Sequence, residues 1–189
     1  MNSPYIVAVG GTLRPDSSTE RAMRHVLNAA ERAGARVKLI SGSSLQLPMY
    51  EPGNSQRCVA ACELVAHLCQ ADGIVIGSPG YHGSISGLVK NALDYVEDLR
   101  ADVRPYFTGR AVGCIATAGG WPGAVHTLSA LRDIVHALRG WPTPLGVAIN
   151  SAERVFDDQG SCLTPRVAET LNLVAQEIMN FPARKASVV

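Results

Sequence analysis

The run Gly10-Gly11-Thr12-Leu13-Arg14-Pro15-Asp16-Ser17-Ser18-Thr19 gathers hydroxyls and one guanidinium in a single short stretch. It follows the apolar run Tyr5-Ile6-Val7-Ala8-Val9 and precedes a segment, Glu20 to Gly34, with a helical pattern. A helix N-terminus presents free backbone N–H groups and the positive end of the helix dipole. Thr12, Ser17, Ser18 and Thr19 add hydroxyl donors, and Arg14 adds a charge-assisted fork. The chemistry expected is that of an anion cradle for one terminal phosphate. A P-loop needs a lysine and a second glycine that are absent here, and a dinucleotide fingerprint fails because the next glycine after Gly11 is Gly34. An ordinary polar loop with Ser18 or Thr19 as helix N-cap accounts for the same letters, so both readings stand at this point.

Two further runs could meet a ligand. Ser78-Pro79-Gly80-Tyr81-His82-Gly83-Ser84-Ile85-Ser86-Gly87 combines glycines with a phenol and an imidazole. Glycines let backbone approach a flat molecule closely, and Tyr81 and His82 could flank a ring. A rigid turn capped by Ser86 explains the run equally well. Thr117-Ala118-Gly119-Gly120-Trp121-Pro122-Gly123 again offers glycines, with Trp121 either walling a pocket or covering a helix end.

The elements that must position these runs follow from periodicity. Tyr5–Val9, Val37–Ile40, Gly73–Gly77, Ala111–Ala116 and Gly146–Ile149 read as strands. Helices are expected over Glu20–Ala33, about Gln56–Ala71, Ser86–Leu99, and on the faces marked by Val125 to Leu138 and Val167 to Ile178. Alternation of this kind predicts an α/β fold, a doubly wound five-stranded parallel sheet with helices on both faces. Ligands in such sheets bind beyond the carboxyl ends of the strands, where the loops above lie. The helix Ser86–Leu99 carries Leu88, Val89, Ala92, Leu93, Tyr95 and Val96, more apolar sides than one sheet face uses, which points to a subunit interface.

Composition sets the outer bounds. The chain has 189 residues, 47% of them hydrophobic, and a formal charge of +1. It is read as one domain over 1–189, with a tail from about 182 that frays. Mixed charge argues against a nucleic-acid footprint. No apolar run reaches the roughly 20 residues of a bilayer span, and no leader is apparent, so a cytoplasmic protein is expected. Cys58, Cys62, Cys69, Cys114 and Cys162 form no disulfide framework or metal-ligand spacing, so no metal is expected.

The first and second runs, the latter extended through Leu88-Val89-Lys90-Asn91-Ala92-Leu93-Asp94-Tyr95, resemble the two signatures of the NADPH-dependent FMN reductases. That family is flavodoxin-like and includes the alkanesulfonate-system flavin reductases and related quinone, azo and chromate reductases. The resemblance covers nearly the whole chain. It implies that Thr12, Arg14, Ser17, Ser18 and Thr19 hold the FMN phosphate, that Pro79, Gly80, Tyr81, His82 and Gly83 line the isoalloxazine ring, and that Thr117, Gly119 and Gly120 form the third flavin-contacting loop. Many members have glutamate in place of Gly80 and asparagine in place of His82. The glycine is expected to leave more room for substrate, and His82 is a candidate proton donor or a packing residue.

The activity implied is hydride transfer from NADPH or NADH to FMN, the cofactor carrying the chemistry. No protein nucleophile is then required. The resemblance further implies release of reduced FMN to a partner flavin-dependent monooxygenase, and a homodimer or homotetramer. Alternatives are an FMN-holding reductase of quinones, azo compounds or metal oxyanions, an FMN-dependent biosynthetic dehydrogenase, and, least supported by the near-neutral charge, a flavodoxin electron carrier.

Overall fold

Three hydrophobic runs form the centre of the sheet: β1 (Tyr5–Gly10), β3 (Gly73–Tyr81) and β5 (Ala111–Ala118). β1 and β5 are buried throughout, and β3 over all but its last residues, as expected for strands covered on both faces. The computed structural model describes residues 3–181; the tail from 182 lies outside them. Beside β1 runs β2 (Arg36–Ile40), and β5 is flanked by β6 (Trp141–Pro142) and β7 (Val147–Asn150), all parallel. The order β2-β1-β3-β5-β6, with β7 also on β5, is the 2-1-3-4-5 arrangement of flavodoxin-type sheets.

Alternate strand residues point to opposite faces and build two cores. Ile6, Ala8, Val75 and Ile115 pack with α1 (Ser18–Arg32) and α5 (Pro165–Asn180). Val7, Val9, Ile74, Ile76, Val112 and Cys114 pack with α2 (Val59–Gln70), α3 (Gly87–Asp94) and α4 (Trp121–Ala137).

The sheet has seven strands, not five. One addition is β4 (Ser84–Ile85), which folds back antiparallel on the end of β3. The other is β6, since the outer strand position is shared by two short segments. Ser78–Tyr81 and Thr117–Ala118, expected as loop, belong to β3 and β5, because Ser78 pairs with Ala116 and Pro79 with Thr117. The helix expected over Ser86–Leu99 is α3 followed by a tighter 3₁₀ segment, Tyr95–Leu99.

The apolar sides of α3, Leu88 at the cavity apart, are satisfied within the chain. Val89, Ala92, Leu93, Tyr95 and Val96 are buried among Leu45, Leu64 and Leu68, with Leu47 and Tyr50 packed against them. Asn91 fastens the covering segment: its Oδ1 accepts from Tyr50 N at 2.8 Å, and its Nδ2 donates to Pro48 O at 2.9 Å. Tyr95 Oη donates to the same Pro48 carbonyl at 3.0 Å. Burial of these residues within the chain removes the reason to read α3 as a subunit interface.

Candidate functional site

Gly10 and Gly11 let β1 stop hard against β3. Gly10 takes φ 142°, and a Cβ there would lie 1.8 Å from the carbonyl oxygen of Gly77. Gly11 N donates to that oxygen at 3.0 Å. The chain then turns through residues 12–17, where the Thr12 hydroxyl accepts from Arg14 N at 3.1 Å. α1 begins at Ser18, earlier than the pattern suggested, because the cap is Ser17: its hydroxyl accepts from Glu20 N at 3.3 Å. Ser18 N and Thr19 N, in the first turn, have no intrahelical acceptor.

Above the carboxyl ends of β1, β3 and β5 lies a cavity of about 600 Å³. Thr12, Arg14, Ser17, Ser18 and Thr19 line one part of it, and Pro79, Gly80, Tyr81, Thr117 and Gly119 another. The three separate runs thus meet in one place. A buried hydroxyl pair joins two of them, Thr19 Oγ1 to Thr117 Oγ1 at 2.6 Å. Ser17 and Thr19 are buried and fixed, whereas Arg14 is exposed at the rim.

His82, Gly83 and Gly120 are not among the lining residues. His82 and Gly83 form the two-residue turn between β3 and β4, with φ of 51° and 88°. Two left-handed residues between paired strands make a type I′ hairpin, the turn that favours Asn-Gly. The asparagine that the family resemblance implies at position 82 would have a conformational reason here. Gly120 is the N-cap of α4, and Trp121 follows it, half exposed and outside the cavity lining.

Gly80 departs from expectation in another way. A Cβ there would meet Thr127 Oγ1 at 2.4 Å, and Ala118 Cβ and Gly123 O at 3.2 Å. The missing side chain leaves no extra room in the cavity; α4 fills that space with the fully buried Thr127.

Leu13, Ser86, Gly87, Leu88, Ala118 and Ser151 also line the cavity, although the sequence assigned none of them a ligand contact. Ser86 is held in place twice: its N–H donates to Ser78 Oγ at 3.0 Å, and its hydroxyl caps α3 by accepting from Val89 N at 3.3 Å. Ser151 follows β7 and donates its N–H to Ala118 O at 2.7 Å. It stands past the carboxyl end of the fifth-position strand, so the rule that pointed to the other loops would have found it.

The lining suits FMN by its own chemistry. One region offers a helix N-terminus, hydroxyls and a guanidinium, as a phosphate needs. Another offers backbone, Tyr81, Leu13 and Leu88, as a flat ring needs.

Comparison with known proteins agrees in kind. Residues 4–154 match the family model described as NADPH-dependent FMN reductase. An FMN-dependent NADPH-azoreductase of Staphylococcus aureus is 37% identical over 91 residues, 48% of this chain and 45% of that protein. The chain thus spans about half the length of the curated relatives it matches. Among solved structures, the flavoenzyme NAD(P)H:(acceptor) oxidoreductase FerB from Paracoccus denitrificans superposes with a TM-score of 0.75 at 19% identity, covering 94% of this chain and 96% of that one. The apo form of NADH:FMN oxidoreductase EMOB gives 0.71 at 19% identity, over 95% and 92%. At such identities these structures speak for the fold.

Proposed function

Since the chain belongs to the NADPH-dependent FMN reductase family, we propose that it is an NAD(P)H:FMN oxidoreductase that delivers reduced FMN to a partner monooxygenase. The observation that carries the reading is the convergence of a phosphate cradle and a flat-ring wall in one cavity. FMN, when bound, supplies the capacity to accept a hydride from NADPH or NADH. The protein's part is binding and orientation. Ser17, Ser18, Thr19 and the first turn of α1 receive the phosphate, with Arg14 adding charge from the rim. Pro79, Gly80, Tyr81, Thr117 and Gly119 hold the ring, and the Thr19–Thr117 hydroxyl pair fixes the spacing between the two groups. His82, Gly83 and Gly120 act one step back, as turn and cap residues that set the backbone of the ring wall.

The protein is mixed with NADPH, then NADH, in the presence of excess FMN, and absorbance at 340 nm is followed. Turnover that saturates with added FMN supports the reading, and consumption of neither nucleotide overturns it. A second reading is favoured by the azoreductase relative: FMN stays bound and an azo compound or quinone is the acceptor. Gel filtration separates the two, since FMN retained through the column, with turnover only on added azo dye, selects the second.

A homodimer or homotetramer remains part of the proposal on different grounds. Leu13 and Tyr81, which line the cavity, and Trp121 and Val125, at the start of α4, are each about half exposed. A monomer in sedimentation at micromolar concentration would remove this element. The proposed compartment is the cytoplasm: no described helix is long and apolar enough to cross a membrane, and Cys58 and Cys62 stand exposed as free thiols.

A further inference from the structure

Ser17-Ser18-Thr19-Glu20 has the Ser-x-x-Glu spacing of a capping box, in which two side chains satisfy two helix-end donors reciprocally. Only half of the exchange is made. Ser17 has the extended backbone of an N-cap, and its hydroxyl accepts from Glu20 N at 3.3 Å. The return bond, from Ser17 N to the Glu20 carboxylate, is absent, and Ser17 N has no other acceptor among the described residues. Glu20 Oε1 accepts instead from Arg24, from Nε at 3.1 Å and from Nη2 at 2.6 Å.

That choice has an electrostatic reason and a consequence for the cavity. Two charge-assisted donors on one guanidinium outcompete a single backbone N–H. Glu20 precedes Arg24 by four residues, the favourable order for an ion pair along a helix. The Glu20 side chain is 7% exposed and that of Arg24 54%, so the arginine reaches a buried carboxylate from the surface. Ser17, Ser18 and Thr19 line the cavity, and Glu20 does not. A Cβ on Gly11 would lie 3.9 Å from Glu20 Cβ, which places Glu20 beside the glycine turn that ends β1. A carboxylate returned to Ser17 N would take one donor of the cradle, offset the positive end of α1 and repel an anion. Solvent screens the neighbouring Asp16, which is exposed, but screens a buried charge much less.

We propose that Arg24 is a positioning residue of the phosphate cradle. It holds Glu20 out of the capping box, so that Ser17 N and the positive end of α1 stay free for the phosphate of FMN. Arg24 itself touches no ligand in this scheme and acts through Glu20. The proposal rests on the reductase reading of the cavity and deepens it by explaining how a helix start that carries a glutamate still receives an anion.

The test uses the full chain freed of flavin, with binding of FMN and of riboflavin read from quenching of flavin fluorescence. Arg24→Gln is expected to weaken FMN binding about tenfold and riboflavin binding hardly at all, because only FMN brings a phosphate. Adding Glu20→Gln to Arg24→Gln removes the competing charge and recovers most of the loss. A crystal structure of flavin-free Arg24→Gln is expected to show a Glu20 carboxylate oxygen within about 3.2 Å of Ser17 N. Equal losses for the two flavins, no loss for FMN, or no recovery in the double variant overturns the proposal, as does a structure in which Glu20 still faces away from Ser17. If Arg24→Gln fails to fold, Glu20→Gln decides alone: FMN binding that is unchanged or tighter supports the proposal, and weaker FMN binding overturns it. An unsubstituted chain that binds no FMN would sink the reductase reading, while the crystal structure still reports on the capping box.

Discussion

Two single residues make sharp tests of the candidate site. Arg14 stands exposed at the cavity rim, where its value is charge supplied to one phosphate. Charged hydrogen bonds contribute about 1.5–3 kcal/mol. Arg14→Ala should therefore weaken FMN binding roughly tenfold or more while leaving riboflavin binding nearly unchanged, as read from quenching of flavin fluorescence. An equal loss for both flavins would mean that Arg14 does not serve the phosphate. Gly80 tests packing rather than charge. A Cβ at Gly80 would sit 2.4 Å from Thr127 Oγ1. Overpacking of this kind costs about 1–3 kcal/mol, so Gly80→Ala should lower the urea midpoint. Adding Thr127→Ala should restore much of the loss. If Gly80→Ala is neutral, Thr127 does not occupy the space the glycine leaves.

At the scale of elements, the sequence disclosed most of what is local and little of what depends on a neighbour. The central strands were legible because Ile74, Val75 and Ile76 are buried on both faces and so show no alternation. The β3–β4 hairpin was not, since His82-Gly83 lacks the asparagine that announces a type I′ turn, and β4 is only Ser84–Ile85. The covering of α3 was hidden as well: nothing in Leu47-Pro48-Met49-Tyr50 says that Asn91, far along the chain, will bind its backbone. The end of α2 shows the same dependence. Arg110, fully buried, donates to the carbonyls of Ala71, Tyr106 and Cys69 at 2.7–2.8 Å. It holds the last carbonyls of α2 with no carboxylate among those hydrogen-bond partners, and burial lowers its guanidinium to about 10. Arg110→Met removes the donors but leaves the acceptors buried, at a cost of about 2–4 kcal/mol in urea unfolding. A loss below about 1 kcal/mol would mean that Arg104, which also reaches Cys69 O and Ala71 O, suffices.

For the whole molecule, the thiols report folding. Cys58 and Cys62 are exposed, while Cys114 lies on β5 with its thiol pushed up to about 12 by burial. A thiol reagent at pH 8 should label Cys58 and Cys62 in the native protein and reach Cys114 only on unfolding. The sign of the pH effect follows. The folded value of Cys114 is raised above its ordinary value of 9.0. Its contribution to stability is therefore complete below about pH 9 and declines as pH rises toward 12. Cys114→Ala should flatten the loss of stability over that window, and an unchanged slope would assign the loss to other groups. The convergence of three distant runs on one cavity was legible at this scale, through the strand-end rule.

The outer strand position, divided between β6 and β7, bears on how copies of this chain can associate. In the gap between them the backbone is already engaged: Thr143 O accepts from Arg132 Nη1 at 2.8 Å, and Leu145 N donates to Glu177 Oε2 at 3.0 Å. A neighbouring strand would find no continuous ladder to extend. At the other margin, β2 displays Arg36 and Lys38, whose charges oppose the stacking of like strands. Charge at one border and an interrupted backbone at the other thus oppose edge-to-edge growth, which guards against fibrous aggregation and favours helices and loops as the surfaces for ordered assembly.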